Sequence, residues 1–310
     1  MSQRINCFIP YGDETQTKET ILNLKKDALV GKIYLLNAGE KGRCALEGCE
    51  VVDVPSLKNT EAMKKIAERA DADFTLLYTK ESKLEWVHFA LERMVNIAED
   101  SGAAMIYADH FNVIDGVRSF APVIDYQMGS LRDDFDFGSV LLYRTSAFKE
   151  AVSRMNINYQ FAALYDLRLK VSQKGVLEHM NEYLYYEVEM DTRKSGEKLF
   201  DYVDPKNRAV QIEMEQACTE HLKEIGGFLK PEFTHIEFSN DPFEYEASVV
   251  IPCKNRVRTI RDAITSALNQ KTSFKYNVIV VDDNSDDGTA EIIKEFVGNE
   301  KLVYIAQDTS

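Results

Sequence analysis

Apolar residues fall along this chain in two rhythms. Short unbroken runs of β-branched and aliphatic residues alternate with stretches where apolar positions recur every three or four residues. The first rhythm predicts strands buried on both faces, and the second predicts amphipathic helices. Strands are expected over residues 5–10, 32–36, 50–54, 74–78, 104–108 and 138–144. Helices are expected over 17–29, 59–70 and 84–101, and from Ala163 onward. Tyr183, Tyr185 and Tyr186 alternate as a late strand would, with core and edge packing favoured over sugar stacking. Strand and helix in regular succession predict an α/β fold, its sheet mostly parallel and flanked by helices on both faces.

The pattern then starts again. An amphipathic helix over 207–225, closed by Gly226-Gly227, reads as a link, and 231–246 is a polar connector. A strand ending at Pro252 is followed by a helix over 259–269 and a strand over 277–281. These match in kind the strand ending at Pro10, its helix and its second strand. Pro10 and Pro252 stand about one domain's length apart, and repetition at that spacing implies tandem units of one fold. The expected organisation is a domain at 1–204, a helical linker at 205–246 and the amino-terminal part of a second domain at 247–310. So few strands cannot close a core of their own, so the chain is expected to be a fragment of a longer one.

The stretch beginning at Ser248 is the richest in chemistry. It reads Ser-Val-Val-Ile-Pro-Cys-Lys-Asn-Arg and later Asn-Val-Ile-Val-Val-Asp-Asp-Asn-Ser-Asp-Asp-Gly-Thr. The apolar run from Val278 to Val281 ends directly in Asp282 and Asp283. Ligands of open α/β sheets bind at the carboxyl ends of strands, so this acid pair is displayed at a site. Asp283-x-Ser285-x-Asp287-Gly288 opens like a calcium loop, but its twelfth position is Lys294 and a strand precedes it. No Gly-x-Gly-x-x-Gly follows either strand, which argues against a dinucleotide site.

With these residues the segment resembles the amino-terminal half of family 2 glycosyltransferases, which have a GT-A nucleotide-sugar-binding fold. The resemblance implies that Pro252 and Lys254 border a donor pocket, and that Asp283, next to Asp282, receives the uracil N3–H. A carboxylate only accepts hydrogen bonds, so it selects a base edge that donates. The resemblance also implies an Asp-x-Asp after the fourth strand, holding Mg²⁺ or Mn²⁺ against the diphosphate. In the first copy that place reads Tyr78-Thr79-Lys80-Glu81, and Asn37-Ala38-Gly39 stands where the second copy has Asp282-Asp283-Asn284. Asp71-Ala-Asp73 precedes its strand and reads as a solvated turn. The metal is therefore expected for the complete second domain, and no metal ligand is secured in the first. Two readings of the first copy stay open: Lys80, Arg193 and Lys194 neutralise phosphate without metal, or the copy no longer turns over.

Other candidates lie in the first copy. Asp166, at the start of a late helix, matches the family's catalytic acid, there a general base for the acceptor hydroxyl; a first-turn carboxylate favoured by the helix dipole is the plainer alternative. Pro10, Tyr11, Asn37, Lys80 and Asp109 are donor-binding candidates at strand ends. Asp134, Asp136 and Gly138 fall in the family's acceptor region, with an acidic surface loop as the plainer alternative for the acids.

Composition narrows the partners. The net charge of −14 argues against nucleic acid or an anionic membrane surface as the main partner. No apolar run approaches the ~20 residues needed to span a bilayer. Cys7, Cys44, Cys49, Cys218 and Cys253 are irregularly spaced and read as reduced thiols of a cytoplasmic protein. The histidines are scattered, and none is assigned a role. The expected function is transfer of a sugar, with inversion, from a nucleotide-diphosphate donor (a UDP-sugar) to a saccharide or lipid-linked acceptor. This would take place in the cytoplasm, with peripheral association at the inner face of the membrane an open variant. The alternative is a non-catalytic GT-A-like binding or scaffolding domain attached to an active second domain.

Overall fold

Ile5, Cys7 and Ile9 alternate with Asn6 and Phe8, so the first strand has two buried faces, and the sheet is built outward from it. The computed structural model describes residues 3–38, 46–114, 116–188, 208–236 and 243–307. Gly39, Cys44, Arg193, Lys194 and Asn207, invoked above, lie outside the described residues. The chain divides into two compact units, Met1–Lys230 and Pro231–Ser310.

Unit 1 contains, in order, β1 (Ile5–Pro10), α1 (Glu14–Leu24), β2 (Val30–Ala38), β3 (Glu50–Val54), α2 (Thr60–Arg69), β4 (Phe74–Tyr78) and β5 (Leu84–Trp86). Then come α3 (Ala90–Ser101), β6 (Met105–Ile114), β7 (Val117–Ala121), β8 (Val140–Arg144), α4 (Thr145–Ser153), α5 (Ala163–Ser172), β9 (Leu177–Val188) and α6 (Arg208–Glu224). The sheet order is β3-β2-β1-β4-β8-β6-β9-β5, with β7 on the free part of β6. The strands β3, β2, β1, β4, β6 and β9 run one way, and β8, β5 and β7 run the other. The result is the expected mostly parallel sheet. One face packs Cys7, Leu76 and Ile106 under α1 and α3. The other packs Phe8, Leu77 and Tyr107 under α2, α4 and α5. Each fully buried side chain of this size contributes about 1.5–3 kcal/mol, so burial on both faces fixes the sheet.

Several boundaries differ from the sequence expectation for identifiable reasons. The first helix starts at Glu14 because the Asp13 side chain caps it, accepting from the Gln16 amide at 3.0 Å. It ends at Leu24, and Asp27 then organises a turn into β2 by accepting from the Leu29 amide. The expected helix over 84–101 is a short strand followed by a helix. Leu84–Trp86 pairs antiparallel with β9, and α3 begins only after Phe89. The strand expected to stop at Asp109 continues to Ile114, because β7 folds back on it as a hairpin. Helix α4 was not anticipated, although Phe148, Ala151 and Val152 carry its buried stripe. The helix expected to link domains instead packs on α5, with Ala217 in a small core beside Tyr159 and Leu169. It therefore belongs to unit 1, and the unit boundary falls at Lys230.

Unit 2 is β10 (Ala247–Cys253), α7 (Ile260–Leu268), β11 (Tyr276–Asp282), α8 (Thr289–Lys294) and β12 (Leu302–Ala306). Its strands are parallel in the order β10-β11-β12. Ile260, Ile264 and Ile293 from the helices cover Val278 and Val280. Among the described residues, no helix is long and apolar enough to cross a membrane.

Candidate functional site

In unit 2 the loops after β10 and β11 are stitched together. The Asn255 amide donates to Ser285 Oγ at 2.8 Å, and the Asp286 amide donates back to Asn255 Oδ1 at 3.0 Å. Asp287 accepts from the Val257 and Thr289 amides, which hold its carboxyl below the usual range together with the Thr289 hydroxyl. Asn255 and Asn284 take left-handed backbone angles, which asparagine tolerates better than most residues. This bracing presents the end of β11 at the carboxyl edge of the sheet, with Cys253 opposite Asp282 and Pro252 opposite Val281.

The two acids there have different work. Asp282 is buried; it accepts from Ser285 Oγ and, at 3.3 Å, from the Tyr304 hydroxyl. Asp283 is anchored through its backbone to the Cys253 carbonyl, while its carboxylate is half-exposed with Lys254 Nζ at 3.4 Å. A carboxylate in this position can accept a further N–H.

The register of unit 1 can be set beside that of unit 2. Pro10 faces Leu36 as Pro252 faces Val281. Asn37 therefore occupies the place of Asp282, and Ala38 that of Asp283. Asn37 is buried, and its side-chain amide donates to Asp53 at 2.8 Å. It is a strand-bridging residue, and Ala38, level with Asp283, carries no polar side chain. Tyr11 is tied to β2 by its amide, which donates to the Leu36 carbonyl.

Carried along the pairing of β1, β4, β8 and β6, Pro10, Thr79 and Asp109 come level at the carboxyl end of the sheet. Asp109 lies within β6 at an irregularity in its pairing with β9. It is buried and accepts from the Val123 amide and from His179 Nε2, each at 2.9 Å. His179 Nδ1 lies 2.7 Å from Asp125. Lys80 is paired with Glu187 of β9. His110 Nε2 stands 3.8 Å from the other Glu187 oxygen, and its ring stacks on Tyr185 at 5.1 Å. Burial pushes the His110 imidazole below its ordinary value, against the opposing pull of Asp136. Gly138 has φ +70, and a Cβ there would overlap the Tyr185 hydroxyl, so only glycine fits. Asp136 accepts from the Gly138 amide, and Asp134 makes a two-pronged surface pair with Arg132.

The three tyrosines divide. Tyr185 is buried and its hydroxyl accepts from the Ser139 amide, whereas Tyr183 and Tyr186 stack with Phe111 on the partly exposed hairpin. Asp71 and Asp73 are engaged by Lys32 and Arg4, as turn residues would be.

Asp166 is not brought to this edge cluster. It is buried and paired with Lys170 at 2.9 Å within α5, with Glu224 of α6 reaching the same ammonium at 3.5 Å. Burial raises its pKa, opposed by Lys170. Asp166 and Glu224 thus share the Lys170 ammonium, which ties α5 to α6.

Histidines were passed over in the sequence, yet His110 and His179 both belong to the edge cluster. His110 directly follows Asp109, which was a readable signal. His179 and Glu187 are joined to the cluster only by the pairing of β6 with β9. Among the described residues, no three of His, Cys, Asp and Glu converge in a way that could hold a metal ion. Lys80 stands where an acid would be needed. At this edge of unit 1 the described residues do not fit Mg²⁺ or Mn²⁺.

Three comparisons bear on these units. The family model for glycosyl transferase family 2 matches residues 248–309. Over 60 residues the chain is 38% identical to a chondroitin synthase of Escherichia coli, a match covering 19% of this chain and 9% of that relative's length. Unlike the family match, the similarity to solved structures extends over most of the chain, at low identity. S. aureus TarS 1–349 in complex with UDP-GlcNAc aligns over 73% of each chain with TM-score 0.44 and 11% identity. The same protein in complex with UDP aligns over 73% of this chain and 72% of that one, with TM-score 0.42 and 13% identity.

Proposed function

We propose that this chain takes part in glycosyl transfer from a UDP-sugar, with the nucleotide held at the carboxyl edge of unit 2. One observation carries the reading. Of the two acids ending β11, Asp282 is buried among Ser285 and Tyr304, while Asp283 stays half-exposed beside Lys254. The family match over residues 248–309 supports it. Uracil N3–H donates to Asp283, and Pro252 lines the pocket below the base. Transfer then breaks the bond between the anomeric carbon and the diphosphate oxygen. A bond to an acceptor hydroxyl oxygen forms with inversion, the hydroxyl proton passes to a base, and the nucleoside diphosphate leaves. The acceptor is a saccharide or a lipid-linked saccharide, a choice in keeping with the similarity to a chondroitin synthase. Free thiols at Cys7, Cys218 and Cys253 favour a cytoplasmic setting.

A second reading concerns unit 1 alone. Ala38 at the position of Asp283, and Lys80 locked to Glu187, favour a binding or scaffolding unit that does not itself turn over. Calorimetry with UDP on the chain and on Asp283→Ala tests the main reading. Saturable binding that the substitution weakens supports it, and equal affinities would sink it.

A further inference from the structure

An open cleft of about 730 Å³ lies in unit 1 between the α1–β2 turn and the β5–α3 turn. It shares no residue with the edge cluster or with the acids of β11. Three features of its walls call for explanation together. Trp86 is fixed edge-on against Tyr185 at 6.1 Å, so its ring is a rigid part of the cleft wall.

Phe89 is the second feature. Its φ of +60 is a left-handed conformation that bulky residues rarely adopt, and its ring is 58% exposed. It serves as the N-cap of α3 without supplying a side-chain bond. Backbone strain and exposure of a large ring both oppose folding. Such positions persist where the ring has another use. The His88 ring lies tilted beside it, with centroids 3.9 Å apart.

The third feature is charge. Asp27, Glu85, Glu92 and Lys26 line the cleft; Glu85 is paired with Lys83, and Lys26 Nζ donates to Asn23 Oδ1 at 3.0 Å. Carboxylates only accept hydrogen bonds, so a ligand must bring hydroxyl or amide donors. The same excess of negative charge disfavours phosphates and uronic acids.

We propose that this cleft binds a neutral saccharide chain, with a pyranose ring stacked on Phe89 and hydroxyls bonded to Asn23 and Asp27. The negative face of an aromatic ring attracts the weakly positive C–H groups of a sugar face. Aromatic walls rimmed by carboxylates and a side-chain amide suit a polyhydroxylated ring better than a nucleotide. The inference goes beyond the transfer reading and rests on the cleft's own residues. If both hold, the cleft grips a saccharide chain at a place separate from the nucleotide.

Trp86 is the single tryptophan of the chain, so tryptophan fluorescence reports on the wall of this cleft. Titration of the full chain with chitohexaose, cellohexaose and maltohexaose, in parallel, is expected to give a saturable change with at least one of them. Phe89→Gly removes the ring while suiting the left-handed backbone, and Phe89→Asn does the same with a residue that tolerates it. Each is expected to weaken binding roughly tenfold without lowering the thermal midpoint. UDP is expected to leave the emission unchanged. The proposal falls if none of the three sugars gives a saturable change, or if both Phe89 variants bind as tightly as the native chain. It also falls if UDP saturates the signal. UDP binding at Asp283 is read by calorimetry, so its failure would leave this result untouched.

Discussion

Lys80, two residues past the end of β4, is paired with Glu187 of β9, a carboxylate 2% exposed and 107 positions away in the chain. A fixed ammonium therefore stands at the sheet edge where the family resemblance leads one to expect metal-binding acids. Its charge is already balanced by a buried partner. Lys80→Met is expected to lower stability by about 1–3 kcal/mol, because it leaves Glu187 buried beside a neutral imidazole. The low end is favoured, since the lysine side chain is half-exposed and screened. Glu187→Gln should cost less, as no charge is stranded. Urea unfolding of both variants decides this, and a wild-type midpoint for Lys80→Met would show that the pair contributes nothing.

The same pairing bears on metal dependence. Residues 1–230 form a compact unit, and they are expected to bind UDP weakly and to the same extent with or without Mn²⁺. A hard divalent ion needs several oxygen ligands. Thr79 and Lys80 supply no carboxylate, while Asp109 is held by Val123 and His179. Calorimetric titration in the two conditions is the check, and tight binding that requires Mn²⁺ would refute the expectation.

In unit 2 the acids of β11 should respond oppositely to substitution. Asp283→Ala is expected to weaken UDP binding by about 1.5–3 kcal/mol, the worth of a charge-assisted hydrogen bond. Asp282→Ala should instead lower stability, because Ser285 and Tyr304 lose their shared acceptor. Calorimetry and thermal unfolding on each variant separate the two roles. A destabilised Asp283→Ala with unaltered affinity would reverse the assignment.

Burial depresses His110 and His221 below the ordinary histidine value of 6.5. The unfolded chain therefore takes up these protons before the folded chain does. Stability is expected to fall as pH drops below about 6.5 and to level off below the folded values. His110→Phe keeps a ring against Tyr185 and should flatten part of that slope. Denaturation midpoints across this range test it, and a slope identical in the variant would exclude His110 as a source.

The strands of both units were legible because a run buried on both faces must be apolar whichever neighbours it acquires. Ile5–Pro10, Glu50–Val54 and Phe74–Tyr78 were placed to the residue. Leu84–Trp86 was not, because Leu84, Val87 and Leu91 also fit a helical stripe. Only pairing with β9 settles its state. The hairpin of β6 and β7 escaped for a similar reason: β7 is exposed and carries no burial pattern.

The acid pair Asp282-Asp283 and the glycine at 138 could be read from the chain itself, since adjacency and residue type are local properties. Which acid faces outward was decided by Ser285 and by Tyr304 on a neighbouring strand. The bond of Lys80 to Glu187, the placing of His179 between Asp109 and Asp125, and the reach of Glu224 to Lys170 all join residues far apart in sequence. The left-handed turn at Phe89 is set by the β5–α3 junction rather than by its side chain. Hydrophobic periodicity records how deeply a residue is buried; it does not record what lies across from it. Strand order and helix docking make that choice, and with it the chemistry of each polar group at the sheet edge.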